Sequence, residues 1–292
     1  MDLLTLMDWP SKDIAEVIEL AIKIKKSPQA FYGKLKGKTL AMIFEKTSTR
    51  TRISFEAGMT QLGGHAIYLD PSKTQLGKAE LKDEIKCMEK YVDGILARVY
   101  AHKKVEQMAA FASIPVINGL SDDFHPCQAL ADLTTIKEKL GTCKGIKIAY
   151  IGDGNNVCNS LIIGAKKMGM QISVATPKGY EPLKKTVVFA GKQLALTHDP
   201  AEAAKGADVI YTDTWISMGQ EAEKVKRLQA FKGFTVTKKL LGKAYFMHCL
   251  PAYRGYEVAP EVIDGKQSII YQQAENRLYA QNAVLLKLLG AA

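Results

Sequence analysis

The chain has 292 residues, enough for two domains of ordinary size, and its 47% hydrophobic and 24% charged residues are the balance of a globular protein and exclude a disordered one. The formal charge of +10 comes from lysines dispersed along the chain, without a basic arm or an RNA-binding signature, so it reads as a solvated surface that favours substrates bearing phosphate or carboxylate over nucleic acid. No apolar run approaches the roughly 20 residues that span a bilayer, Met1 to Pro10 lacks the pattern of a secretory leader, and the five cysteines (Cys87, Cys127, Cys143, Cys158, Cys249) show neither CxxC spacing nor a compact framework. The expectation is a cytoplasmic protein with no membrane contact, structural zinc or disulfides.

Taken in chain order, apolar β-rich runs alternate with amphipathic stretches. Strands are expected near Thr39–Phe44, Ala66–Leu69, Gly94–Arg98 and Pro115–Asn118, with helices between them, notably Thr51–Leu62 and Asp83–Tyr91. A second series places strands near Lys147–Gly152, Gln171–Ala175, Val209–Thr212 and Ala244–His248. Alternation of β and α argues for parallel sheets covered by helices. Two such series predict an α/β protein of two doubly wound domains joined by interdomain helices. The junction is expected in the helix after His125, through Ala129–Lys139, giving domains of 1–135 and 136–273. A last amphipathic helix, about 274–292, is expected to pack back on the first.

Several clusters fall at strand ends, where open α/β sheets bind ligands. Ser48-Thr49-Arg50-Thr51-Arg52 lies between a predicted strand and a predicted helix. A helix start offers N–H groups and a positive dipole end. The hydroxyls of Ser48, Thr49 and Thr51 add donors, and Arg50 adds a planar fork matched to phosphate oxygens. The glycine-rich nucleotide-hydrolase loop is missing. His125-Pro126-Cys127-Gln128 opens the next helix, which puts His125 and Gln128 one turn apart; without carboxylate or cysteine partners it lacks metal-ligand spacing. Asp213-Thr214-Trp215-Ile216-Ser217-Met218-Gly219-Gln220 follows a strand and suits recognition of an ammonium by a loop, unless Asp213 merely caps a helix. His248-Cys249-Leu250-Pro251, followed by Arg254, is another strand end; its cysteine is either chemically active or a buried structural thiol. Gly152-Asp153-Gly154-Asn155-Asn156 imitates a dinucleotide fingerprint, but Val157 replaces the third glycine and no ribose-binding acid follows the next strand. A nicotinamide cofactor is therefore rejected, and Asn155 and Asn156 are read as holding a carboxylate.

These clusters, in this order, resemble the transcarbamylases over nearly the whole chain from Trp9. STRTR at 48–52 and HPCQ at 125–128 are similar to the family's carbamoyl phosphate site. DTWISMGQE at 213–221 and HCLPAYRG at 248–255 resemble its ornithine branch; the aspartate branch carries proline in place of Cys249 and lacks the Ser-Met-Gly loop.

The resemblance implies transfer of a carbamoyl group from carbamoyl phosphate to the δ-amine of L-ornithine, giving L-citrulline and phosphate by direct attack in a ternary complex, within arginine metabolism. It implies no cofactor and no metal. Ser48, Thr49, Arg50, Thr51 and Arg98 would hold the phosphate. Arg98, His125 and Thr51 would bond the carbonyl oxygen. Gln128, the carbonyls of Cys249 and Leu250, and Arg277 would orient the carbamoyl amide. Asn156 and the Met218 backbone would take the ornithine carboxylate; Asp213 and Ser217 would take its α-ammonium. Gln75 resembles a residue reaching a neighbouring subunit's site, which implies a homotrimer or a multiple of one. Arg98, His125, Cys249 and Arg277 are the implied catalytic set, with Cys249 assisting deprotonation of the amine and not forming a covalent intermediate.

The sequence departs from the family after Gly77. Where the pattern reads Glu-Ser-x-x-Asp-Thr-Ala-Arg, this chain has Glu80-Leu81-Lys82-Asp83-Glu84-Ile85-Lys86; Asp83 aligns with the pattern's Asp only when one residue before it is removed, which then puts Glu84 at the Thr and Lys86 where the pattern has a forked arginine. The alternatives are a relative that carbamoylates another amine, such as putrescine or an acylated ornithine, a non-catalytic paralogue that binds a ligand or partner, and, more weakly, a basic nucleic-acid binder.

Overall fold

The fold is that of a computed structural model, which describes residues 1–290. It divides into two compact units: unit 1 is Met1–Thr134 with the C-terminal segment that begins at Asn276, and unit 2 is Thr135–Glu275. The helices Pro126–Leu140 and Ile270–Leu289 carry the chain from one unit into the other. The C-terminal helix starts before its expected position, and residues 291 and 292 of the expected span lie outside those described. No helix among the described residues is long and apolar enough to cross a membrane.

Unit 1 holds a four-stranded parallel sheet of β1 (Thr39–Phe44), β2 (His65–Leu69), β3 (Gly94–Arg98) and β4 (Val116–Leu120) in the order β2-β1-β3-β4. Five helices go with it: α1 (Ser11–Lys26), α2 (Thr49–Gln61), α3 (Leu81–Met88), α4 (His102–Phe111) and α5 (Pro126–Leu140). The central strands β1 and β3 are buried almost throughout, the near-continuous apolar run of a parallel strand covered on both faces. Edge strand β2 alternates in exposure instead. The C-terminal helix returns to unit 1 with Ala280, Ala283, Val284, Leu285 and Leu289 buried; each large side chain so covered contributes roughly 1.5–3 kcal/mol. It lies so close to α2 that a Cβ added at Gly58 would stand 2.2 Å from Asn282 Oδ1.

Unit 2 holds five parallel strands: β5 (Lys147–Ile151), β6 (Gln171–Ala175), β7 (Leu194–Thr197), β8 (Val209–Tyr211) and β9 (Tyr245–Met247), in the order β7-β6-β5-β8-β9. After β5 comes α6 (Asn156–Lys167). A core of Ile151, Ile210, Trp215, Phe231, Phe246 and Val258 packs in this unit.

The doubly wound α/β expectation is correct, with adjustments that have physical causes. The helix expected at Thr51–Leu62 begins at Thr49, because Ser48 caps it. The helix expected at Asp83–Tyr91 lies at Leu81–Met88, because past it the Lys90 and Tyr91 N–H groups turn to the carbonyls three residues back, Cys87 and Met88, at 3.1 and 2.9 Å. The strand expected at Pro115–Asn118 runs instead from Val116 to Leu120. Strand β7 was not anticipated: four half-exposed residues at a sheet edge carry too little apolar pattern to be read. Each sheet reverses its winding once, between β1 and β3 and between β5 and β8. Such switch points open a crevice beyond the strands' carboxyl ends.

Candidate active site

At the β1/β3 switch point, β1 ends in Phe44 and α2 begins at Thr49. Ser48 is the cap residue: its Oγ accepts the Thr51 N–H at 3.2 Å. The cap orients the first turn of α2, where backbone N–H groups and the helix dipole favour an anion. Thr49 is exposed, Arg50 half-buried and Thr51 buried, so this turn has one open and one enclosed side. Lys46, just upstream, is buried against Asp122, with its ammonium 4.4 Å from the centre of the Tyr100 ring.

Arg98 is the last residue of β3 and pairs with Phe44 across the sheet. Its carbonyl accepts the Glu45 N–H at 2.8 Å, and its side chain is buried. The register against β4 shifts between Ala97 and Arg98, the kind of irregularity that re-aims a side chain at a strand end.

His125 caps α5: its carbonyl accepts the Gln128 and Ala129 N–H groups at 3.1 and 3.2 Å. Arg277 joins these pieces. Its Nη1 donates to Gln128 Oε1 at 2.5 Å and lies 3.5 Å from His125 Nε2, while Nη2 donates to Thr51 Oγ1 at 3.2 Å. An arginine nitrogen only donates, so His125 Nε2 carries the lone pair and Nδ1 the proton. Burial, then the cations Arg277, Arg98 and Arg50, hold the imidazole pKa well below its ordinary value, which keeps the ring neutral at pH 7. Gln128 Nε2 donates to the fully buried Asp132 at 2.8 Å. Gln281, with its amide oxygen toward Arg277, accepts from Nη2 at 2.8 Å and Nε at 3.0 Å and donates to Ser54 Oγ at 2.6 Å. Cys127 faces the other way, toward the Asn118 carbonyl at 3.5 Å, and burial pushes its thiol up to about 12, so it is inert.

Unit 2 gathers its polar groups at the β5/β8 switch point. Asn155 caps α6, its Oδ1 accepting the N–H groups of Val157 and Cys158 at 3.0 and 3.1 Å. Its Nδ2 donates to Asp213 Oδ2 at 2.8 Å, and Cys249 Sγ donates to Asp213 Oδ1 at 3.1 Å. Asp213 is buried to 6% exposure, and these two donors fix the direction of its carboxylate. Asn156 heads α6, half-buried. Beyond Asp213 the loop carries Ser217, whose N–H donates to Gln220 Oε1 at 3.0 Å, and the exposed Met218.

The turn after β9 is held from below. The Leu250 N–H donates to His248 Nδ1 at 2.8 Å, His248 N–H donates to Gln273 Oε1 at 2.9 Å, and His248 Nε2 lies 3.3 Å from Glu257 Oε1. These contacts hold Leu250 at φ 61°, a left-handed conformation that costs a branched side chain on the order of 1–2 kcal/mol. Donor atoms of Asp213, His248 and Cys249 lie within 4.8 Å of one another. They make a poor cation site, because Nδ1 is occupied as an acceptor, Nε2 then bears the proton toward Glu257, and Asp213 already takes Asn155 and Cys249.

Comparison with known proteins decides the family. Residues 1–138 match the family model described as the aspartate/ornithine carbamoyltransferase carbamoyl-P binding domain, and residues 144–288 match the corresponding Asp/Orn binding domain. The chain belongs to the aspartate/ornithine carbamoyltransferase family. It is 54% identical over 303 aligned residues to ornithine carbamoyltransferase of Pyrococcus horikoshii, covering 99% of this chain and 96% of that one. A protein of Pyrococcus furiosus named ornithine carbamoyltransferase, anabolic, is 52% identical over 99% of this chain and 96% of its own. The solved structure of the Pyrococcus furiosus ornithine carbamoyltransferase superposes with a TM-score of 0.96 at 51% identity, covering 100% of this chain and 98% of that one.

In this carbamoyltransferase, Thr51, His125, Gln128 and Arg277 form one connected group in unit 1, with Arg98 and Arg50 acting on the same imidazole. Ser48 and Thr49 sit at the α2 start. Gln75 is exposed on the loop ahead of α3, with Leu76 turned inward. In unit 2, Asp213 and Cys249 are in contact. Asp213 caps no helix. Asn155, read alongside Asn156 as a carboxylate holder, instead uses its amide on the α6 cap and on Asp213. The near-fingerprint glycines also gain a packing explanation: a Cβ at Gly154 would stand 2.3 Å from Pro182 N.

Four supporting residues escaped the sequence reading. Asp132 and Gln281 follow Gln128 and Arg277 by one helical turn, a spacing that could have pointed to them. Glu257 and Gln273 become relevant only through tertiary contacts, as does the bond from Asn155, read for another role, to Asp213.

The neutral His125 has a measurable consequence. Its ring signals in proton–nitrogen NMR should show no titration from pH 8 down past the ordinary histidine value of 6.5. The unfolded chain takes up a proton there and the folded one does not, so this residue's share of stability is full above that pH and declines as pH falls below it. Unfolding of wild type and His125→Gln, compared across the same range, should show the difference; a His125 signal titrating near 6.5 would refute the neutral assignment.

Proposed function

We propose that the protein transfers the carbamoyl group of carbamoyl phosphate to the δ-amine of L-ornithine, giving L-citrulline and phosphate. The observation that carries the choice of acceptor is Asp213: a buried carboxylate at the β8 end, aimed by Asn155 and Cys249 and followed by a Ser-Met-Gly loop. A free α-amino acid needs such an acid for its ammonium and nearby donors for its carboxylate; a diamine such as putrescine needs no carboxylate site.

In this reading, Ser48, Thr49, Arg50, Thr51 and Arg98 bind the phosphate, and Gln75 reaches a neighbouring subunit's site. Asp213 and Ser217 bind the α-ammonium; Asn156 and the Met218 backbone bind the α-carboxylate. Carbamoyl phosphate is already activated, so alignment of the two reactants supplies much of the acceleration. The δ-amine first gives up a proton, which Cys249 assists. The nitrogen then attacks the carbonyl carbon, and negative charge grows on the carbonyl oxygen. Arg98, Thr51 and the Nδ1–H of His125 stabilise that charge, each well-placed donor contributing roughly 3–4 kcal/mol. Gln128, Arg277 and the carbonyls of Cys249 and Leu250 hold the carbamoyl amide. The carbonyl re-forms as the C–O bond to phosphate breaks, the attacking nitrogen gives its second proton to a phosphate oxygen, and phosphate leaves into the cationic turn.

The homotrimer, or a multiple of it, rests on the Gln75 resemblance; the half-exposed edge strand β2, with Ile67 40% exposed and Ile53 59% exposed on the adjoining α2, supports association between copies without fixing their number. A cytoplasmic location agrees with five free cysteines, and the relative named anabolic supports a biosynthetic direction in arginine metabolism.

A colorimetric citrulline assay with ornithine and putrescine in parallel tests the reading. Ornithine should be the preferred acceptor by a wide margin. Preference for putrescine would overturn the acceptor assignment, and no product with either amine would indicate a non-catalytic paralogue.

A further inference from the structure

One buried guanidinium ties together the two strand ends that carry the ornithine-side residues. Arg227 lies on the short helix Lys224–Ala230 and is 4% exposed. Its Nε donates to the Trp215 carbonyl at 2.5 Å, and its Nη2 donates to Asp153. Asp153 follows β5 and Trp215 follows β8, so the fork spans the switch point of unit 2. Nη1 also lies 3.6 Å from Glu223 Oε2. The guanidinium rests 4.9 Å from the Tyr180 ring centre and 5.5 Å from that of Phe231. The Trp215 indole is in turn stacked near Phe231, at 5.4 Å and 28°, and near Tyr256, at 6.4 Å and 7°.

The grip is on the backbone of the loop itself. Trp215 stands two residues after Asp213 and two before Ser217, and Asp153 stands two before Asn155, the residue that orients Asp213. A carbonyl and a carboxylate held by adjacent nitrogens of one planar group have a fixed separation, which a lysine ammonium on a flexible stem does not impose. The aromatic rings keep water from competing for these bonds and restrict the guanidinium's tilt.

We propose that Arg227, acting with Asp153, is a positioning residue for amino-acid recognition: it sets where the Asp213–Met218 segment stands relative to the Gly152–Asn156 turn. The inference rests on the ornithine reading above. It assigns Arg227 no contact with substrate. Its effect falls on how well the α-ammonium and α-carboxylate are received, and leaves the carbamoyl phosphate side alone.

The test is steady-state citrulline formation by wild type, Arg227→Lys and Asp153→Asn, with each substrate varied at saturating levels of the other and thermal midpoints measured in parallel. Arg227→Lys keeps a cation beside Asp153 but loses the fork, and should raise the KM for ornithine about tenfold or more while the KM for carbamoyl phosphate stays within about twofold. Asp153→Asn keeps the bond to Trp215 and should give a smaller shift in the same direction. A purely structural role would instead lower the midpoint and the amount of active enzyme without separating the two KM values, and that pattern overturns the proposal. An unchanged ornithine KM in both variants overturns it as well. Wild type that forms no citrulline would sink the ornithine reading itself, an outcome distinct from either. Should Arg227→Lys not fold, Asp153→Asn decides alone, by the presence or absence of the selective ornithine shift.

Discussion

Arg50→Ala should reduce kcat/KM for citrulline formation on the order of a thousandfold, with most of the loss expressed toward carbamoyl phosphate. Arg50 is the second residue of α2, half-buried, two residues past the Ser48 cap and close enough to His125 to depress its pKa. Its removal takes a charge and a planar set of donors from the helix start proposed to hold the phosphate, both as substrate and as leaving group. Arg50→Lys should recover only part of the activity, because an ammonium cannot make two parallel bonds to phosphate oxygens. Kinetics with carbamoyl phosphate varied at saturating ornithine gives the number; activity of Arg50→Ala within tenfold of wild type would remove this residue from the phosphate site.

A comparable loss on the other substrate is expected from Asp213→Asn. The asparagine keeps the shape and can still accept from Cys249 or Asn155, so unit 2 should fold with little change. The negative charge disappears, and an ammonium loses its counter-ion in a buried setting. Loss of one member of a buried, hydrogen-bonded charge pair costs roughly 2–5 kcal/mol, or about 30- to 4,000-fold in ornithine affinity. The KM for ornithine should rise by that factor while the KM for carbamoyl phosphate remains near wild type. Direct titration with ornithine in the presence of phosphate would give the same ratio without turnover. A wild-type ornithine KM in this variant would show that the α-ammonium is bound elsewhere.

Much of the architecture was readable because its signals are local. Thr39–Phe44 and Gly94–Arg98 are short apolar runs flanked by helical patterns, and both form strands over those residues. The STRTR and HPCQ runs sit at helix starts because Ser48 and Pro126 suit those positions whatever the rest of the chain does. Strand β7 shows the opposite case: a four-residue edge strand is stabilised by pairing with β6, and a window of local residues contains no trace of that partner. The early start of the C-terminal helix, at Ile270, has the same origin, since Ile270 is buried in the unit 2 core while the helix continues into unit 1.

The candidate site divides along the same line. Sequence alone determined the α/β class, the family resemblance and which residue types stand at the strand ends, because helix caps, apolar periodicity and motif order are properties of neighbouring residues. Tertiary structure decided which of those residues act together. Arg277 meets Gln128 across 149 positions, His125 across 152 and Thr51 across 226. It also decided that Asn155 aims Asp213 instead of waiting for a ligand, that the His125 ring is neutral, and that Arg227 bridges two strand ends. The physical reason is common to all of these. A hydrogen bond or a pKa depends on distance, burial and surrounding charge, and those quantities come into being only when the chain closes on itself.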